Sequence, residues 1–263
     1  MHKKAFFVFG LLFILVVVSS AGTGTTGWWI LRRPQSTKPQ PITSVASIRG
    51  DLSGVFYNPS ILGTIKQKEI FLLTELGLAS DTFGSLLYGN PIDSSSGFSI
   101  GVVYYDAGKE TLSWMESGAL KEATVTMQQD MLGLISYGKT LSKSFLAGIT
   151  LKFATSKIAE IQSSSVYCLD LGFMFLGNSG LTFSFALQNI GSSEKFLNES
   201  DELPMSVWAG CSYGMAFSQN SYLALGVDVP YIVSEGRTIP SVGIEFGFGK
   251  FSINSGYRTG VDD

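Results

Sequence analysis

Six segments of this chain alternate strictly between large apolar residues and small or polar ones, and that period of two narrows the fold before anything else does. In 98–105 one face is Phe98, Ile100, Val102 and Tyr104, and the other is Ser99, Gly101, Val103 and Tyr105. The segments 145–153, 169–175, 181–188, 223–229 and 242–248 repeat the pattern. Successive side chains of a strand point to opposite faces, so each segment carries one apolar face. A soluble sandwich alternates too, but its outer faces are charged and meet water. Here the second face is Gly, Ser, Thr and Ala with about one ion per strand, which points to an antiparallel transmembrane β-barrel, apolar outside and crowded and polar inside. Segments 127–137 and 205–217 alternate too poorly for their faces to be assigned.

Composition agrees. Charged residues make up 15% of the 263, against about a quarter in a typical soluble domain, and the mean hydropathy is +0.26. No run beyond the N-terminus reaches the roughly 18 uncharged apolar residues of a membrane helix, so a bilayer would have to be crossed by a closed barrel. Residues 1–21 hold Lys3 and Lys4, an apolar run to Val18, then Ser19, Ser20 and Ala21, the layout of a cleaved secretory signal. Losing those two lysines takes the formal net charge from -3 to -5, and no basic stripe remains for nucleic acid. His2 is the sole histidine and lies in that signal, which removes His-based triads and His metal ligands from the mature chain. Cys168 and Cys211 match no metal or redox spacing and read as small apolar wall residues or as a disulfide pair.

Between the signal and the strands, 22–68 reads as an irregular segment, with Trp28, Trp29, Arg32, Arg33 and three prolines in its first half. Its second half, 50–63, reads Gly-Asp-Leu-Ser-Gly-Val-Phe-Tyr-Asn-Pro-Ser-Ile-Leu-Gly, the one stretch after the signal that fits neither strand nor Pro-rich linker. The barrel region is 69–263. Its connections differ in length: 176–180 and 247–251 are tight hairpins, while 106–121, 189–204 and 231–240 are longer, which places short turns at one end and long loops at the other.

On these residues the chain resembles the PorV/PorQ family of FadL-like outer-membrane barrels. The family's aromatic-Asn-Pro-small-x-Leu motif corresponds to Tyr57-Asn58-Pro59-Ser60-Ile61-Leu62. Further matches follow in family order: Ser136-Tyr137-Gly138, Gly148 to Lys152, Leu169-Asp170-Leu171-Gly172, Leu187 to Gly191, Leu203-Pro204, Asp228, Gly243-Ile244-Glu245 and Gly256-Tyr257-Arg258. The Trp/Arg/Pro passage departs from the small-residue stretch that members carry before Asn-Pro. The resemblance implies about 14 strands with the N-terminal segment folded into the lumen. It also implies that the chain, ending in a turn-like Thr259 to Asp263, lacks some C-terminal strands.

For function the resemblance implies a non-enzymatic, monomeric outer-membrane protein that shuttles exported proteins in type IX-like secretion, with secretion components and cargo as partners. The alternatives are a FadL-like passage for hydrophobic small molecules, marked by an apolar pocket beside Phe56 and Tyr57, and a soluble secreted β-sandwich. Asp51, Phe56, Tyr57, Asn58 and Pro59 are the expected plug motif, since Asn and Asp cap short turns and Pro sets their backbone. Lys152, Asp170, Asp228, Glu245 and Arg258 are expected as a lumenal charge network, reaching to 50–63, because buried ions need partners. Phe98, Tyr104, Phe173, Phe183, Phe185 and Phe246 are expected on the lipid face, and Trp114 and Trp208 in an interfacial belt. No catalytic residue, metal or cofactor is expected.

Overall fold

The computed structural model describes residues 28–33, 35, 51–77, 80–159, 162–177, 180–193, 202–218 and 220–259. The expected signal at 1–21 lies outside them. Among the described residues, fourteen strands follow three short 3-10 turns, Trp29–Leu31, Leu52–Phe56 and Pro59–Gly63. The strands are β1 (Glu69–Leu76), β2 (Thr82–Pro91), β3 (Ser96–Asp106), β4 (Lys109–Glu116), β5 (Ala119–Thr126), β6 (Gln128–Ser142) and β7 (Phe145–Ile158). Then come β8 (Gln162–Leu176), β9 (Leu181–Ser193), β10 (Ser206–Ser218), β11 (Ser221–Ile232), β12 (Arg237–Thr238), β13 (Ser241–Phe248) and β14 (Phe251–Arg258).

The main sheet is an antiparallel meander in the order β1-β2-β3-β6-β7-β8-β9-β10-β11-β13-β14, with β12 beside β11. The main strands form one sheet, not the two stacked sheets of a sandwich. It curls around the N-terminal segment: the adjacent residues Arg32 and Arg33 form ion pairs with Glu235, after β11, and with Glu75 on β1. Strands eight places apart in the sheet thus lie within reach of one dipeptide.

The β2–β3, β6–β7, β8–β9, β10–β11 and β13–β14 connections are short and fall at one end of the wall; the other end carries the longer β9–β10 and β11–β13 connections together with short ones, so the expected division into a short-turn end and a long-loop end holds only in part. One expected long loop is largely strand. Within 106–121, β4 and the start of β5 form a hairpin closed by Ser117 and Gly118, at φ 53° and 79°. Two successive left-handed residues are what a two-residue hairpin turn needs, and Thr111, Trp114 and Thr124 are strand formers. At the opposite end, Asp93 shapes the β2–β3 turn. Its Oδ1 accepts from the Ser95 N–H at 2.7 Å and from Ser95 Oγ at 2.8 Å, and its Oδ2 from Ser96 Oγ at 2.8 Å.

These donors, the Ser95 amide foremost, hold the Asp93 carboxyl down at about 2, against an ordinary 3.8. A depressed folded value means the turn's contribution is complete above the unfolded value of 3.8 and is lost as pH falls through about 2. A carboxyl NMR titration of the full chain in micelles should place Asp93 near 2, with Ser95→Ala moving it toward 3.8. A wild-type midpoint already near 3.8 would show that this cap does not form in solution.

The faces follow the alternation. Ile100, Val102, Tyr104, Phe183, Phe185 and Phe246 point outward and are exposed, and Phe98 and Phe173 on the same face are partly covered by neighbours. On β1, Ile70 and Leu72 are 73% and 71% exposed, values that no water-facing wall sustains across so many strands. Ser99, Val103, Thr150, Ser184 and Asp228 point inward and are buried. β6 and β10, unassigned from sequence, turn Leu132, Leu134 and Trp208 inward. Trp208 is therefore not part of an interfacial belt: it is 6% exposed, sits 6.0 Å from the Tyr57 ring, and its indole N–H donates to Ser206 Oγ. Trp114 is exposed, on the hairpin. Cys168 lies on the inner face with Lys152 opposite, whereas Cys211 lies on the outer face between Phe183 and Val227. Both are free, and the wall between them rules out a disulfide.

Candidate functional site: the filled lumen

Residues 51–65 supply the inner filling, and their local chemistry explains its shape. Asp51 Oδ1 accepts from the Ser53 N–H at 3.0 Å and from Ser53 Oγ at 2.7 Å. Seven residues on, Asn58 Oδ1 does the same with Ser60, at 3.0 and 2.7 Å. Each Asx-x-Ser unit caps one 3-10 turn, and Pro59 at the first position of the second turn pre-sets its backbone. Two consecutive short turns give a compact knot whose Leu52, Val55, Ile61 and Leu62 are fully buried.

The wall has a seat for that knot. Gly97, Gly138, Gly148 and Gly172 face one another in register across β3, β6, β7 and β8, followed by Ala186 on β9 and then Trp208 on β10. Four adjacent strands thus lack a side chain in one row, leaving a groove that admits backbone. The second turn occupies it. A Cβ on Gly97 would come within 2.7 Å of the Leu62 carbonyl oxygen, one on Gly138 would press on Leu62 and the Pro59 carbonyl, and one on Gly148 would land on the Pro59–Ser60 peptide. Asn58 Nδ2 donates to the Phe173 carbonyl at 3.1 Å, and Thr140 Oγ1 donates to the Gly63 carbonyl at 3.0 Å, closing the two sides of the groove.

Above the seat lies a buried polar cluster. In the β8–β9 pairing Leu169 faces Ile190 but Leu171 faces Leu187, so Asp170 stands opposite two residues, Gln188 and Asn189. Asn189 is left-handed at φ 57°, the mark of a bulge that turns both amides inward. Gln188 Nε2 donates to the Phe56 and Tyr57 carbonyls at 3.0 and 2.9 Å. Asp170 accepts from the Asn189 N–H at 2.8 Å, and Lys152 Nζ sits 2.6 Å from Asp170 Oδ2 and 3.0 Å from Asn189 Oδ1. Asn189 Nδ2 then donates to the Pro204 carbonyl at 3.1 Å.

The first turn fills the long-connection end. Arg32 Nη1 is 2.7 Å from Glu235 Oε1. Arg33 pairs with Glu75, and its guanidinium stacks over Trp29 and Phe83, 4.7 and 4.2 Å from the ring centres. The two layers meet where the Gln35 N–H donates to Tyr57 Oη at 3.2 Å. Between them is a cavity of about 30 Å³ lined by Ile30, Arg32, Arg33, Tyr57, Lys152 and Gln188. Roughly two water molecules fit there, and its basic, amide-rich lining is not the apolar pocket a hydrophobic ligand needs.

The structure brings Asp51, Phe56, Tyr57, Asn58 and Pro59 together in the inner knot, with Phe56 against Phe71 and Tyr57 against Trp208. It distributes the five charged candidates. Lys152 and Asp170 pair with each other, Glu245 accepts from Tyr222 Oη at 2.7 Å, and Asp228 and Arg258 share a cross-strand row with Gly210 and Ser241. Gln188, Asn58 and Thr140 tie the wall to the inner knot, and so does the Glu69 carboxylate of β1, which accepts from the Leu52 backbone N–H. Gln188 and Asn189 entered the sequence reading only within the Leu187 to Gly191 match and were not read as site residues. Arg32, Arg33, Glu75 and Glu235 were not read as site residues either. Among the described residues, no cluster of three His, Cys, Asp or Glu can hold a metal ion.

An inside-out antiparallel wall with a polar, self-filled interior is the class of protein these features define. No protein-family model and no curated protein matches the chain. Among solved structures it is similar to a FadL homologue of Pseudomonas aeruginosa, at 10% identity and a TM-score of 0.48, over 90% of this chain and 79% of that one.

Proposed function

We propose that this chain is a plugged outer-membrane β-barrel protein of the PorV/PorQ type, acting without catalysis or cofactor. In this reading it works as a monomer that engages exported proteins at its long-connection end. The observation that supports it is the glycine row with the Pro59–Gly63 turn seated in it: a lumen filled with backbone in a made-to-measure groove is built to be shut. A shut lumen leaves the exterior for work, and the β4–β5 hairpin presents Leu112, Trp114, Met115 and Leu120 to its surroundings. Solute passage fits less well, because the cavity beside Phe56 and Tyr57 is small and basic.

The test is to express the full gene, fractionate the cells, and run the outer-membrane fraction unheated and heated, with a photo-crosslinker at position 114. A heat-modifiable outer-membrane band, no solute flux in proteoliposomes and crosslinks to exported proteins are the expected results. Fatty-acid uptake that depends on the protein would replace this reading with the FadL-like passage. A band that stays soluble and shows no heat shift would overturn both.

A further inference from the structure

Exposed amines crowd one rim of the wall. Lys66, Lys68, Lys139, Lys143 and Lys250 all stand exposed at the end that carries the β2–β3, β6–β7 and β13–β14 turns. Lys66 Nζ donates to the Ser94 carbonyl of the β2–β3 turn at 3.2 Å, and Lys139 lies opposite Ser96, which ends the same turn. Lys143 follows in the β6–β7 turn, so these three belong to one patch across neighbouring strands. None of the five lysines pairs with a carboxylate among the described residues. Asp93 lies in the patch, but its oxygens accept from Ser95 and Ser96. The opposite end has the other sign: the β4–β5 hairpin holds Glu110, Glu116 and Glu122 against Lys109 and Lys121.

The patch also sits at a defined height. Lys139 continues the outward series Met131, Ile135 and Tyr137 of β6, and Lys68 stands two residues before the outward Ile70 of β1. Just inside it runs an aromatic band: Tyr88 and Phe98 pack edge to face, Phe98 lies opposite Tyr137, and Phe145 stacks on Phe173. Such a band marks the boundary between hydrocarbon and headgroups. A lysine just beyond it lays its stem on apolar surface and lifts its amine into the headgroup layer. Amines without carboxylate partners at that height are matched by anions of the bilayer itself. We propose that this rim is a binding surface for anionic phospholipid headgroups of the phosphatidylglycerol class, centred on Lys66, Lys139 and Lys143. It holds the turn end of the wall against an anionic leaflet and keeps the acidic hairpin at the far side. The proposal rests on the membrane-barrel reading, and it is independent of the secretion role and of the plug.

The experiment places the full chain in phosphatidylcholine proteoliposomes with spin-labelled phosphatidylglycerol or spin-labelled phosphatidylcholine as the probe. Electron paramagnetic resonance then reads the fraction of each lipid held against the wall. A lysine beside an anionic surface changes association by about fivefold, so phosphatidylglycerol should be retained severalfold more strongly than phosphatidylcholine. The preference should shrink at high salt, as headgroup contacts are screened. Lys139→Gln combined with Lys143→Gln should cut it by about twofold or more. Lys109→Gln combined with Lys121→Gln removes the same charge from the hairpin and should leave it intact. A heat-dependent gel shift matching wild type shows that each variant folds. Equal retention of the two lipids by heat-modifiable wild type overturns the proposal, as does a preference that the rim variant leaves unchanged or that the hairpin variant reduces as much. A soluble band with no heat shift would instead overturn the membrane reading beneath it.

Discussion

Replacing Gly148 by valine should drive the Pro59–Gly63 turn from its seat, exposing 51–65 to protease in detergent-solubilised protein and opening the lumen to small solutes in proteoliposomes. The reason is what the new side chain meets. At most core positions an added methyl displaces the end of a flexible neighbour, at about 1–3 kcal/mol. At Gly148 it meets the peptide between Pro59 and Ser60, and Gly138 and Gly172 on either side are filled by the same turn, so no sideways relief exists. The cost belongs at the upper end, about 3 kcal/mol or more, enough to reverse the seated and unseated populations of a marginally held segment. Gly133→Val on the outer face of β6 is the control: the nearest atom to its added Cβ is the Phe153 carbonyl at 3.9 Å, so the plug and the fold should be unaffected. Wild-type protease resistance in Gly148→Val would show that the glycine row is not what holds the plug.

Lys152→Met should be the most destabilising single change on the inner wall. Lys152 and Asp170 have side chains 6% and 0% exposed, and the amine sits 2.6 Å from the carboxylate. Removing one partner of such a pair strands the other charge, at about 3–5 kcal/mol, whereas replacing both with apolar groups is often close to neutral. Urea titrations of the folded and unfolded gel bands should therefore show a large loss for Lys152→Met, a similar loss for Asp170→Leu, and recovery of most of it in the double variant. What the double variant does not recover is the Asp170 bond to the Asn189 N–H, which pins the bulge and aims Gln188 at the plug. A loss below about 1 kcal/mol for Lys152→Met would mean that water reaches the pair and screens it.

The parts of this molecule legible in the sequence are those governed by near neighbours. In β3, Phe98, Ile100, Val102 and Tyr104 fall on the outer face as the alternation predicts, because the pleat alone assigns them. Trp208 and Leu132 break the pattern: large apolar residues turned inward, opposite where a simple barrel would put them. Each meets filling that is itself apolar or aromatic there, Tyr57 against Trp208 and Ile30 on the cavity that Leu132 lines. Inner-face composition thus follows the plug, and a strand read alone carries no record of what lies across the lumen. The expectation of a loop at 106–121 failed for a related reason. Its charged residues look like loop composition, but a two-residue turn at Ser117 and Gly118 lets cross-strand pairs such as Thr111 with Thr124 form in the open.

By itself the sequence determined the strand period, the apolar outer face and the two capped turns, since each depends on contacts within two or three residues along the chain. Tertiary structure alone decided that four glycines would align into a seat, that Gln188 would reach back 132 residues to the Phe56 carbonyl, and that two adjacent arginines would tie opposite parts of the wall. Those contacts depend on strand register and on the bulge at Asn189, where a slip of one residue would turn each of these side chains to the other face.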